Sequence, residues 1–370
     1  MERIRPDKPR RITLISTGGT IASRWQGTGY AADAAGDTVL ASAAVPAGVE
    51  VRVLDLFNVN SSRMTSDLQL ALVRTVRDVL ADPDVDGIVV THGTDTLEES
   101  AFLVDLHHDD PRPVVFTGAQ LPLGAADGDG PGNMHDAIQA AATVRGLGVL
   151  VVFNGTVHAA RGTVKTQTLA PNAFDDPSAV EPLGRLGFGR ADVRRAPRRP
   201  APLPVPGADA AVPRVDIVMH HSDADPALFE AAVAAGARGI VLVATGAGNA
   251  TPAFVEAVRA AAARGILVVV TTRVPAGPLA EIYTGGGAVD LVAAGAVLSG
   301  TLRAGQARIA VLSALLASAD ATRAERTQLL RRLIDAPAED AAHGPAADVA
   351  DAPADSPAHT PAETDEKTAA

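Results

Sequence analysis

Short, strongly apolar runs alternate with longer amphipathic ones along most of this chain, and that alternation narrows the available folds more than any other feature. Residues 11–16, 51–56, 87–91, 113–117 and 148–153 are too short for helices and rich in Val, Ile and Leu. Bounded by Gly, Asp or Asn, they read as buried strands. Between them, residues 67–80 place Leu68, Leu72, Val76, Val79 and Leu80 at helical spacing, with Ser66 available as N-cap. Residues 97–107 and 133–145 are helical by the same criterion. Strand–helix–strand alternation implies an α/β fold whose parallel sheet is covered on both faces.

The alternation breaks at 190–214, where six prolines mix with six arginines. Such a stretch holds neither an interior helix nor a central strand, and it reads as a solvated linker rather than a phosphate patch. Beyond it the pattern resumes, with strands expected at 215–219, 239–244 and 266–271 and helices at 227–235, 252–264, 304–317 and 323–334. The expected organisation is therefore a larger α/β domain over 11–190, a linker over 191–214, and a smaller α/β domain over 215–334. Residues 335–370 hold nine carboxylates, one lysine and a single large aliphatic residue, Val349. They cannot offset their ordering entropy and are expected to form a disordered acidic tail.

That tail dominates the charge. The chain carries 43 acidic and 32 basic residues, a net of −11. Without the tail, 34 acids face 31 bases, about −3, which argues against a general nucleic-acid binder. There is no cysteine, so disulfides, thiolate-bound zinc and a Cys nucleophile are excluded. Residues 1–11 lead into no long apolar segment, and the protein is expected to be soluble and cytoplasmic, with no membrane partner.

Lysine usage is unusual. Only Lys8, Lys165 and Lys367 are lysines, against 29 arginines, and Lys165 alone falls in the expected folded body. Arginine serves wherever a fixed charge suffices, whereas a lysine amine can exchange protons. Lys165 is thus a candidate for proton chemistry, with a surface lysine retained by chance as the competing reading. The strand ends hold the other candidates, since ligands of open parallel sheets collect there. The first ends in Ser16-Thr17-Gly18-Gly19-Thr20, where paired glycines allow a sharp turn beside exposed hydroxyls. The third ends in Thr91-His92-Gly93-Thr94-Asp95-Thr96, followed by Glu98 and Glu99 in a first helical turn. Helix capping competes with a functional role for Asp95 and Thr96, and His92 reads as a hydrogen-bonded core histidine. A threonine hydroxyl becomes a nucleophile once a base takes its proton, and a lysine beside an aspartate can do so.

T-G-G-T-I-A at 17–22, T-H-G-T-D-T-L-E-E at 91–99 and T-G-A-Q-L-P at 117–122, with A-G-x-x-x-x-G-T-L-x-x-x-x-A-R-I-x-x-L near the C-terminus, resemble the bacterial-type L-asparaginase family. The resemblance spans roughly residues 11–317. It implies hydrolysis of L-asparagine to L-aspartate and ammonia, with some glutaminase activity and without metal or cofactor. It further implies Thr20 as the nucleophile that forms an acyl-enzyme, assisted by Tyr30 on a lid that is short for the family. Thr94, Asp95 and Lys165 match the second catalytic cluster, with Asp95 also holding the substrate ammonium and Ser61 and Ser62 the α-carboxylate. Asn249, and Glu281 as the nearest acidic candidate, match residues that complete a neighbouring subunit's site in a homotetramer. Two other readings compete. An amidotransferase subunit of related sequence would carry a further domain ahead of the first strand, where ten residues stand here. A non-catalytic amino-acid-binding protein on the same scaffold would lack one of Thr20, Thr94, Asp95 or Lys165, and all four are present.

Overall fold

The computed structural model describes residues 8–318 and 321–335; apart from Asp335, the expected acidic tail lies outside the described residues. The chain begins with β1 (Arg10–Gly18), a hairpin of β2 (Ser23–Trp25) and β3 (Tyr30–Ala32), α1 (Gly36–Ala41) and β4 (Val49–Val59). It continues through α2 (Ser66–Leu80), β5 (Gly87–Thr91), α3 (Leu97–His107), β6 (Val114–Thr117), α4 (Gly130–Thr143) and β7 (Val149–Phe153). Five short strands follow: β8 (Thr156–Ala159), β9 (Val164–Lys165), β10 (Phe174–Asp175), β11 (Gly184–Gly187) and β12 (Arg190–Val193). The second unit contains β13 (Val215–Met219), α5 (Ala227–Ala234), β14 (Gly239–Ala244), α6 (Pro252–Ala263) and β15 (Leu267–Thr272). It ends with α7 (Ala288–Ala293), β16 (Val297–Leu298), α8 (Ala304–Ala317) and α9 (Arg323–Asp335).

The large sheet has the order β12-β11-β8-β7-β6-β5-β1-β4. Strands β4, β1, β5, β6 and β7 are parallel, as expected, and β5 is buried along its whole length. Strand β4, expected to be buried over 51–56, instead forms the sheet edge and alternates between exposed and half-buried residues, because only β1 pairs with it. Three antiparallel strands extend it beyond that expectation. Asn154-Gly155 joins β7 to β8 with both residues at positive φ (49° and 70°), and Phe188-Gly189 joins β11 to β12 likewise (50° and 69°). These are the mirror-image turns that suit the twist of a hairpin. The expected linker at 190–214 therefore opens with an edge strand. The smaller sheet is wholly parallel, in the order β13-β14-β15-β16.

Layers follow from burial. One core lies between the large sheet and α4, and a third lies under α5 and α6 of the small sheet. The remaining core is continuous from α2 and α3 through α8 and α9 to the small sheet. Helix α8 is apolar on all sides because both faces are covered, and it has no polar stripe. Two local details differ from expectation. Helix α2 is capped by Thr65, whose hydroxyl accepts from Leu68 N, while Ser66 Oγ accepts instead from Arg308 Nη2 at 2.9 Å. Helix α4 starts three residues early, since Pro131 fits its first turn, where a missing N–H costs nothing.

The Pro/Arg segment runs over the surface with many residues exposed, but it is docked at Arg199. Arg199 Nε donates to Asp105 Oδ1 at 2.7 Å, and its Nη2 reaches the carbonyls of Asp105 and His108. Asp105, only 3% exposed, also accepts from Val149 N at 3.0 Å. Removing one partner of such a pair leaves the other partly buried and unpaired, so Asp105→Ala should destabilise the fold by about 2–3 kcal/mol in urea unfolding. A loss below about 0.5 kcal/mol, the level of an exposed ion pair, would contradict this role.

Candidate active site

Strand order locates the site. From β1 the chain passes to β4 on one side, whereas from β5 it passes to β6 on the other. The direction reverses between β1 and β5, which opens a crevice at their carboxyl ends. Ser16 is in register with Thr91, and Thr17 Oγ1 donates to Thr91 O at 2.8 Å, so the loops that follow start side by side. Gly18 and Gly19 adopt φ of 98° and 86° and deliver Thr20 into a single 3-10 turn, Thr20–Ala22. A Cβ on Gly19 would fall inside contact distance of Gly93 N and Cα, and one on Gly93 would strike Ser61 Oγ. Three loops, carrying Thr20, Ser61 and Thr94, thus nest without intervening side chains.

They enclose a cavity of about 390 Å3 lined by Thr20, Tyr30, Ser61, Ser62, Thr94 and Asp95 among others. The hairpin β2–β3 brings Tyr30 to this cavity, with Trp25 packed edge-on against it at 5.2 Å between ring centres. A second cavity of about 350 Å3 shares Asp95 with it and is lined also by Glu98 and Lys165. Lys165 Nζ donates to Thr94 Oγ1 at 2.8 Å and to Asp95 Oδ1 at 3.0 Å. The lysine side chain is 20% exposed and the aspartate 59%, so the pair bridges interior and solvent. Ser61, only 3% exposed, accepts from Asp95 N at 3.1 Å, and its carbonyl accepts from Thr96 Oγ1 at 2.9 Å. Neither Asp95 nor Thr96 therefore uses its side chain as a helix cap; α3 has no side-chain cap at all. The Asp95 N–H is thereby committed to Ser61.

Burial moves two groups. His92 is fully enclosed, which drives its imidazole down to about 4; a proton on Nδ1 then donates to Gly93 O at 2.8 Å. It is neutral at physiological pH and serves the loop, as expected of a core histidine. Burial pushes the Glu98 carboxyl up to about 7, against the pull of the Lys165 backbone N–H that it accepts.

Asn249 and Glu281 do not line the cavity of their own chain. Asn249 follows β14, closes a tight bridge with Thr245, and leaves its buried Oδ1 without a partner among the described residues. Glu281 is exposed beside exposed Ile282 and Tyr283. Two residues without an assigned role join the site. Gln120 accepts from Thr94 Oγ1 at 3.3 Å and was visible in T-G-A-Q-L-P, while Glu98 was visible only as a first-turn acid.

Residues 11–199 match the model of the asparaginase N-terminal domain, and residues 214–328 that of the glutaminase/asparaginase C-terminal domain. The chain belongs to the asparaginase family. It is 34% identical over 317 residues to the L-asparaginase of Bacillus licheniformis, covering 84% of this chain and 96% of that one. It is 33% identical to a probable periplasmic L-asparaginase of Haemophilus influenzae, over 84% of this chain and 89% of the relative. A probable cytoplasmic L-asparaginase from Campylobacter jejuni superposes with a TM-score of 0.77 at 28% identity, covering 87% of this chain and 99% of that structure.

Because the Glu98 carboxyl is raised from its ordinary 4.5 to about 7, the native state holds this proton more tightly than the unfolded chain does. Its contribution is present below about pH 4.5 and is lost as pH rises through about 7. Glu98→Gln cannot titrate, so its stability relative to wild type should rise by on the order of 2–3 kcal/mol across that window. Urea unfolding at both pH values measures this, and a difference independent of pH would contradict it.

Proposed function

We propose that the chain hydrolyses the side-chain amide of L-asparagine to L-aspartate and ammonia through an acyl-enzyme on Thr20. The observation that carries this reading is the contact of Lys165 Nζ with both Thr94 Oγ1 and Asp95 Oδ1, on a loop nested against that of Thr20. Thr20 Oγ1 attacks the amide carbon, with Tyr30 over it from the hairpin. The tetrahedral oxyanion is held by the amides of Gly93 and Thr94, and the C–N bond breaks as ammonia leaves with the proton that the Thr20 hydroxyl gave up. The resulting ester is cleaved by water: Thr94 Oγ1 takes one of its protons while giving its own to the Lys165 amine, and the ester C–O bond breaks as Thr20 Oγ1 takes the other, releasing aspartate.

The zwitterion is held by charge and hydroxyls. Asp95 offers a half-exposed carboxylate for the ammonium. Ser61 Oγ accepts from Asp95 N and keeps its own proton to donate to the α-carboxylate, joined by Ser62. Asn249 and Glu281 do not line the cavity of their own chain, and we assign them to the site of a second copy in a homotetramer. The unpartnered Asn249 Oδ1 supports that assignment. Glutamine is the second substrate to be expected, as the description of the C-terminal family model suggests. We place the protein in the cytoplasm, as its Campylobacter neighbour is described; among the described residues no helix is long and apolar enough to cross a membrane.

Ammonia release from L-asparagine and L-glutamine tests this directly. Thr20→Ala should lose essentially all turnover, and Lys165→Met should lose about 10²–10⁴-fold in kcat. Failure of the wild type to turn over either amide would overturn the reading, and full activity in Lys165→Met would remove the proton-transfer role.

A further inference from the structure

Lys165 stands on an unusually slight support. Its strand, β9, pairs only with β10, two residues against two, outside both main sheets. A ladder that short is not stable alone and cannot hold a long side chain to the tolerance that proton transfer requires. The main chain just ahead of it must be fixed by something else. Gly162 has φ 86°, and a Cβ there would collide with the Asp176 carboxylate, so this approach has one permitted path.

The support comes from the other half of the molecule. Gln306, in the first turn of α8, is 1% exposed and spends its whole amide on that path. Its Oε1 accepts from Gly162 N at 2.8 Å, while Nε2 donates to Ala160 O at 2.8 Å, to Thr163 O at 3.0 Å and, more distantly, to Glu98 O at 3.5 Å. Two residues on, Arg308 Nη1 donates to Glu99 Oε2 at 3.4 Å, tying the same helix to the turn that carries Glu98. Glu98 in turn accepts from Lys165 N. The segment is thus held from α8 on one side of Lys165 and through α3 at Lys165 itself.

We propose that Gln306, from the C-terminal half of the chain, is a positioning residue for the reaction: its amide sets the main-chain path that delivers Lys165 Nζ to Thr94 Oγ1. The inference rests on the role given above to Lys165. It makes the small domain of the same chain a working part of the site, separate from any residue contributed by a second copy.

Steady-state kinetics of the full chain test it, with Gln306→Met, Gln306→Asn, Lys165→Met and Gln69→Met measured for kcat, KM and thermal midpoint. Gln69 serves as control, being similarly buried (3% exposed), with its side-chain amide donating to Ser100 Oγ at 3.2 Å. Gln306→Met should lower kcat at least ~10-fold with KM within about threefold, as expected for misplacement of a catalytic group rather than loss of binding. Gln306→Asn, which keeps the amide, should fall between Met and wild type, and it carries the test alone if the Met variant does not fold. Gln69→Met should lower the thermal midpoint and leave kcat unchanged. The proposal is overturned if both Gln306 variants keep kcat within about twofold of wild type, if the change lies in KM alone, or if Gln69→Met loses as much kcat. Full activity in Lys165→Met would instead defeat the underlying mechanism, a distinguishable result.

Discussion

The contact of two backbones at Gly19 and Gly93 is what the rest of the site depends on. Parallel pairing of β1 with β5 brings two strand ends together, but a side chain at Gly19 would hold these two loops apart, and one at Gly93 would push away the loop of Ser61. With no Cβ at either position, Thr20 and Thr94 open into one cavity, and Ser61 fits against Gly93 closely enough to receive the Asp95 amide. Hydroxyls, a carboxylate and an amine then converge with little of the chemistry left to flexible side chains. Preorganisation of this kind keeps the cost of ordering the reacting groups out of each turnover.

A second dependence runs between the two halves of the chain. The apolar helix α8 sits in a core shared by both sheets, so the halves do not have independent interiors. Of its polar side chains, Gln306 is directed at the lysine segment and Arg308 at the first turn of α3. The docked Arg199 covers the far end of α3 through Asp105. Helix α3, which starts at the site, is therefore clamped along its length by parts of the chain that lie far away in sequence.

Much of this was legible from residues alone, for identifiable reasons. Strands and helices with a strong period emerged within a few residues of their expected ends, because full burial leaves no ambiguity in a run such as Gly87–Thr91. The lone body lysine was informative because arginine fills nearly every other basic position. What escaped was short or relational. Strands β8, β11 and β12 are four residues each, and only the Asn154-Gly155 pair signalled the first hairpin. Composition described the Pro/Arg segment as solvated, since nothing local reveals that Asp105 waits for Arg199 across ninety-four positions. Gln306 fell at an open position of the C-terminal pattern, because its partners are main-chain groups that leave no mark in a sequence.

The central claim is that Thr20 carries the acyl group while Thr94 and Lys165 move the proton. Acid quenching during turnover of L-asparagine, followed by intact-mass and peptide mapping, measures where the acyl group resides. The account predicts one aspartyl group esterified to Thr20, accumulating further in Lys165→Met as its hydrolysis slows. An adduct on Thr94, or turnover with no adduct at any time in either protein, would contradict it.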